Sequence, residues 1–195
     1  MPEEGEQVSL RDGSRVLVRA VTPEDRELFV QGFEHFGIES RASRFLGLKK
    51  HLSESELDFL TQVDHERHEA IGAVDLDGGA GVGVARMVRL HDDASSAEAA
   101  VSVVDEWQGR GVGALLLSRL SDRARELGVT RFQAVLRTDN TSMLTLFRRA
   151  GEVQTIGRDA GVATIEVKLP VDCEHDSLGA ALRSAAAGEI AHAAD

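Results

Sequence analysis

The chain has 195 residues, 42% apolar and 28% charged, with three prolines, one cysteine and no tyrosine. That length predicts one globular domain burying about 70% of its unfolded surface. Its formal net charge of −11 offers no basic face for a phosphate backbone, which argues against nucleic acid as a partner.

The N-terminus "MPEEGEQVSL" lacks the apolar core of a secretory leader, and no run reaches the roughly 20 apolar residues of a membrane span. Cys173, the lone cysteine, cannot form an internal disulfide. A cytoplasmic protein without a membrane partner is expected. Acidity serves solubility and also suits a cationic partner.

Residues 14–21, "SRVLVRAV", alternate apolar and polar and predict a first strand. Thr22-Pro23-Glu24-Asp25 then supplies a hydroxyl cap, a proline at the first helical position and acids in the first turn. Leu28, Phe29, Phe33 and Phe36 make the apolar stripe of that helix. Ser53-Glu54-Ser55-Glu56 is a capping box for a short helix through Leu57, Phe59 and Leu60. Residues 68–76 and 81–90 predict a hairpin, and 98–105 a further buried strand.

A helix from Gly111 to Leu127 carries Val112, Leu116, Leu120 and Ala124 on one face and stops at Gly128. Residues 131–136 predict a strand, Asn140 to Ala150 a helix closed by Gly151, and 160–169 a last strand. The domain is expected over 1–170. An Ala-rich tail follows over 171–195, where Leu178, Ala181, Leu182 and Ala185 allow either a small helix or a frayed end.

The segment "VVDEWQGRGVGALLLSRL", Val103 to Leu120, places Gly109, Gly111 and Gly113 on alternate positions where a helix should begin. Glycine inside a helix costs about 1 kcal/mol relative to alanine. A gain must offset that. Backbone N–H groups at a helix N-terminus lack intrahelical partners and lie at the positive end of the dipole, so bare glycines let an anion reach them. A cradle for a phosphate-bearing ligand is the expectation.

A P-loop is excluded because no Lys-Ser or Lys-Thr pair follows. A dinucleotide fold expects an acid about 20 residues on, at the end of the next strand. Here that strand ends near Leu136, and the strands before the glycines predict antiparallel pairing.

Gln108-Gly109-Arg110-Gly111-Val112-Gly113 resembles the [QR]-x-x-G-x-[GA] signature of the GNAT superfamily of N-acetyltransferases. The segments "AVTPEDRELF", "ESRASRFLG", "LTQVDHERHEAIGA", "AEAAVSVVDEWQGRGVG" and "NTSMLTLFRRAG" are similar, in that order, to bacterial protein-lysine acetyltransferases of the Pat type.

The resemblance implies an α/β (α+β) fold with a mixed, mostly antiparallel sheet, helices on both faces and a splay between strands four and five. It also implies acetyl-CoA as acyl donor, no metal, and a primary amine, such as a protein lysine, as acceptor. By position, Gln108, Gly109, Arg110, Gly111, Val112, Gly113 and Ala114 would hold the pyrophosphate, and the strand edge at Ser102 and Val103 would pair with the pantetheine arm. Asn140 falls where the family touches the cofactor arm, and it is equally a plain helix cap. Only about a dozen residues precede the first predicted strand, so no cyclic-nucleotide domain is expected there.

Lysine has a pKa near 10.4, so supplying a free amine at pH 7 costs about 4.6 kcal/mol and calls for a base. The resemblance implies Glu98 in "AEAAVSV" as that base. Among apolar strand neighbours its pKa would rise by desolvation; at the start of the strand it would instead face water. The position of a family tyrosine that protonates the leaving thiolate holds Phe147. A thiol with pKa near 8.5 is a tolerable leaving group without one, with water or Ser142 completing the transfer.

"HERHE", residues 65–69, is one residue short of a zinc-binding HExxH. Asp64, Arg67 and His68 would either shape the acceptor side or brace the strand entry. Trp107 is expected to anchor its turn by packing.

Overall fold

A computed structural model describes residues 5–35 and 51–170. Eight strands form one sheet: β1 (Glu6–Ser9), β2 (Arg15–Ala20), β3 (His68–Asp75), β4 (Gly81–Arg89), β5 (Ser96–Val103), β6 (Arg131–Arg137), β7 (Glu152–Asp159) and β8 (Val162–Lys168). Their spatial order is β1-β2-β3-β4-β5-β6-β8-β7. Neighbours run antiparallel except β5 and β6, which are parallel. The described helices are α1 (Arg26–Glu34), α2 (Glu54–Thr61), α3 (Val112–Glu126) and α4 (Thr141–Ala150). This is the expected mixed, mostly antiparallel α/β fold.

Helices lie on both faces, and strand alternation decides which residues meet them. Ala85 and Met87 of β4, Ala97, Ala99 and Val101 of β5, and Ile165 and Val167 of β8 form a core with Leu116, Leu120 and Ala124 of α3 and Phe147 of α4. Arg86, between Ala85 and Met87, points the other way. It donates to the Leu60 carbonyl at 3.0 Å and lies over the Phe29 and Phe59 rings, which places α1 and α2 on the opposite face.

Local signals fix most boundaries. The Ser53 box forms as expected, with the Ser53 N–H donating to Glu56 at 2.8 Å. Gly128 takes φ +80° after α3, the left-handed stop that glycine favours. The turn before α1 departs from a plain helix start: Pro23–Asp25 is a 3-10 turn. Asp25 accepts the Thr22 N–H at 2.8 Å and pairs with Arg19 at 2.5 and 2.7 Å, both side chains less than a tenth exposed.

Gly151 has φ 173°, so it is not a left-handed cap. A Cβ there would lie 2.1 Å from the Lys168 carbonyl oxygen, so close strand approach requires the glycine. The strand expected over 98–105 runs instead from Ser96 to Val103, because Asp105–Trp107 turns as a 3-10 segment. β1 and β7 are unanticipated, and Phe36, Cys173 and the tail lie outside the described residues. Among the described residues no helix is long and apolar enough to cross a membrane.

Candidate active site

β5 and β6 pair only through Ser96–Arg131, Ala97–Phe132 and Glu98–Gln133. Beyond Glu98 they part. β5 continues along β4 to Val103, and β6 continues along β8 to Arg137. The closed end is pinned by side chains: Ser96 Oγ and Arg131 Nη2 each donate to Asp93 at 2.7 Å, and the Thr130 N–H donates to the Ser95 carbonyl at 2.8 Å. Hydrogen bonds from Ser95, whose Oγ donates to Asp93 at 2.7 Å, and then from Ser96 and Arg131 hold the Asp93 carboxyl well below the usual range. The open end leaves the edge of β5 beyond Glu98 with no strand partner on that side among the described residues. In the family's count this is the gap between strands four and five; β1 shifts the numbering by one.

At the mouth of the V, Gly111 caps α3 with φ +98° and no side-chain cap bond. The first intrahelical bond runs from the Leu115 N–H to the Gly111 carbonyl at 3.0 Å. The N–H groups of Val112, Gly113 and Ala114 therefore precede it, at the positive end of the helix dipole. Gly109 also has positive φ, +75°. A Cβ at Gly109 or Gly111 would meet nothing within 4 Å, so the handedness of the loop is what demands glycine.

Gly113 differs: it is an ordinary helical residue whose Cβ would sit 3.4 Å from Leu146 and 3.6 Å from Val103. The three glycines thus play two roles rather than the single unmasking role expected. The backbone from Gly109 to Ala114 makes an open cradle that fits an anion.

The named side chains of this segment mostly brace the loop. Gln108 Nε2 donates to the Val103 carbonyl at 3.1 Å and to Asp105 at 3.0 Å. Arg110 stacks over Trp107 at 4.9 Å and reaches Ser14 at 3.4 Å and Asp12 at 3.6 Å. Trp107 packs against the core, as expected. The Val112 side chain is fully buried, leaving only its N–H for the cradle. Asn140 Oδ1 accepts the Met143 N–H at 3.0 Å, the cap role. Ser102 and Val103 both lie on the part of β5 beyond the split.

Glu98 occupies the last paired position before the strands part, opposite Val88 and Gln133. Its neighbours Ala97 and Ala99 are buried on the α3 face, so Glu98 points to the α1–α2 face, where it is exposed. The desolvated setting expected for it is not found: on that face Glu98 is exposed, the alternative of a strand-start residue facing water. Phe147 is 1% exposed and part of the core. Ser142 is exposed on the first turn of α4.

Around the "HERHE" segment, Asp64 Oδ1 accepts the N–H groups of Glu66, Arg67 and His68 at 2.8–2.9 Å, which lowers its pKa. His65 Nδ1 lies 2.7 Å from Glu69, whose other oxygen accepts from Arg123 Nε at 2.9 Å. His68 stacks on Phe59 at 4.7 Å with Nε2 3.0 Å from Arg86. Burial, and then the Arg86 charge, push its pKa below the ordinary value. The segment is a brace for strand entry. The Glu69–Arg123 link, 54 residues apart, had no local signal. No metal-binding cluster occurs among the described residues.

A sheet split between its two parallel strands, with a glycine-capped helix at the mouth, is the frame of one acyl-transferring class: the chain belongs to the GNAT acetyltransferase family, whose domain model matches residues 15–153.

Among characterised proteins it is similar to the acetyltransferase Pat of Mycolicibacterium smegmatis, 35% identical over 170 residues, 84% of this chain and 48% of that protein. The chain thus spans about half the length of that relative. An acetyltransferase of Pseudomonas aeruginosa is 34% identical over 140 residues, 71% of this chain and 75% of that one. The crystal structure of the GNAT domain of S. lividans PAT superposes with a TM-score of 0.78 at 32% identity, covering 85% of this chain and 97% of that one.

Proposed function

We propose that this enzyme moves an acetyl group from acetyl-CoA to a primary amine, a protein lysine, by direct transfer in a ternary complex. The observation that carries the reading is the split of β5 from β6 immediately after Glu98, with the Gly111 cradle at its open end. Pyrophosphate would lie on the N–H groups of the Gly109–Ala114 segment. The amides of the pantetheine arm would pair with the free β5 edge at Ser102 and Val103. A backbone N–H of that edge would polarise the thioester carbonyl. Likeness to Pat proteins supports lysine as the acceptor.

Glu98 takes the amine proton through water. Its exposure suits a base that loads and unloads protons from solvent, while the amine meets it at the closed end of the V. The nitrogen then bonds the acetyl carbon, the C–S bond breaks, and the thiolate takes a proton from water or Ser142. No tyrosine is required, since a thiol with a pKa near 8.5 is a tolerable leaving group near neutrality; Phe147, at the family tyrosine's position, lies in the core.

Glu98→Gln tests the assignment. Turnover should fall about 10²- to 10⁴-fold, with acetyl-CoA affinity in a calorimetric titration unchanged. Retained turnover would place the base elsewhere. Mass spectrometry of acetylated products from protein and small-amine panels decides the acceptor; labelling of small amines alone would remove lysine from the reading.

A further inference from the structure

Glu98 shares its rung of the sheet with a second acid. The register runs from Glu98 on β5 to Gln133 on β6 and on to Glu166 on β8. All three side chains lie on the face opposite α3, because the residues flanking each of them along the strand are buried in the core: Ala97 and Ala99, Phe132 and Ala134, Ile165 and Val167. Val135, the next residue of β6 on that face, is 52% exposed, so the face lies open beside the rung.

Glutamate is depleted from strands, where β-branched and aromatic residues fit better. Neither β5 nor β8 is an edge strand. No ion pair accounts for the two acids, since Glu98 and Glu166 have no hydrogen-bond or ion-pair partner among the described residues. Of the cations on the adjoining rungs, Arg86 is held by the Leu60 carbonyl and Arg131 by Asp93, and Lys168 stands opposite Glu152.

We propose that Glu166 is a specificity residue that receives a second cationic side chain of the acceptor, so that the enzyme prefers a lysine with an arginine or lysine two or four residues away. The acceptor segment lies extended across β6 and β8 on the open face. This rests on the reading of the acceptor as a protein lysine and of Glu98 as its base.

The spacing follows from the sheet. Neighbouring strands lie about 4.8 Å apart, so Glu98 and Glu166, two strands from each other, have Cα atoms about 10 Å apart. An extended peptide advances about 3.3 Å per residue and turns alternate side chains to one face, so residues two and four from the lysine stand about 7 and 13 Å along on the same face. The flexible stems of arginine and lysine take up the remaining few ångströms. Residues at odd separations point away. Gln133, between the two acids, carries an amide that can serve the backbone of the peptide. Small ligands are taken by concave pockets, whereas this rung is open and suits a chain laid along it. The net charge of −11 draws a basic segment toward the molecule as a whole.

The test measures kcat/KM of the full chain, with acetyl-CoA, on otherwise neutral peptides that carry one lysine and a single arginine moved through positions one to five on either side of it. Arginine at the second or fourth position on one side should raise kcat/KM about three- to five-fold over alanine. The gain should appear in KM with kcat unchanged, because the contact is made before and during transfer alike. Glu166→Gln should bring the arginine-to-alanine ratio near one. Glu166→Arg should invert it, with aspartate at that position preferred to arginine, a reversal that a merely structural role would not give.

Equal kcat/KM across the set in the wild-type chain would overturn this inference and leave the lysine acceptor standing. A gain confined to odd separations would overturn it too. Acetylation of small amines but of no peptide would remove the lysine acceptor and this inference with it. A folded Glu166→Gln or Glu166→Arg protein that keeps the wild-type preference would assign the second cation to another group and overturn the role of Glu166. If neither variant folds, the wild-type series decides.

Discussion

Replacing Gly111 by alanine isolates the backbone of the cradle from its packing. At φ +98° an alanine pays the left-handed penalty, about 1–2 kcal/mol. No steric cost adds to it, because the new Cβ meets nothing within 4 Å. For a chain of this size 1 kcal/mol shifts the melting temperature by about 2–4 °C, so a fall of about 2–8 °C is expected. If the backbone relieves the strain by rotating to negative φ, the N–H groups of Val112 and Gly113 turn from the mouth of the V.

Each hydrogen bond to a charged ligand contributes about 1.5–3 kcal/mol, so losing one weakens coenzyme A binding about 10- to 150-fold. Calorimetry reads the melting shift, and a coenzyme A titration reads the affinity. Gly113→Ala is the comparison: its φ is helical, its contact with Leu146 is 3.4 Å, and its melting shift should be smaller. A Gly111→Ala protein that melts and binds like the wild type, beside a Gly113→Ala protein that does neither, would refute the handedness explanation.

Gly151→Ala should destabilise by at least about 1–3 kcal/mol, since its Cβ would enter the Lys168 carbonyl and displace the β7–β8 pair from α4; a denaturant titration with an unchanged midpoint would contradict the close-approach reading. Asp25→Ala breaks the buried pair with Arg19 and removes the acceptor of the Thr22 N–H, and should cost about 3–5 kcal/mol by the same assay. His68 has a lowered folded pKa, so its neutral form favours the fold. Its contribution should be complete above its ordinary value of 6.5 and fall away as pH drops through the lower folded value. Denaturation midpoints across that range should decline in the wild type and decline less in His68→Phe.

What could be read in advance was what is local. Gly111, Gly128, Asn140 and the Ser53 box announce their helix ends within a few residues, and each stands where expected. Residues whose direction is set by distant chain were harder. Arg110 is one: Ser14, 96 residues away, draws its side chain from the cradle. Glu98 is another, because alternation gives the face of a strand residue but not what covers that face. β7 was hidden because "EVQTIGRD" is a mostly exposed edge strand with little alternation.

The position of the split inside the sheet has a consequence for solubility. Unpaired strand edges normally invite another chain to add itself, and proteins guard their outermost strands against such growth. Here the unzipped stretch belongs to β5 and β6, four strands in from one border and two from the other. A gap with strands on both sides is not a rim that a further chain can extend, so the peptide groups of β5 beyond Glu98 stand apart from the edge growth that outermost strands must be guarded against.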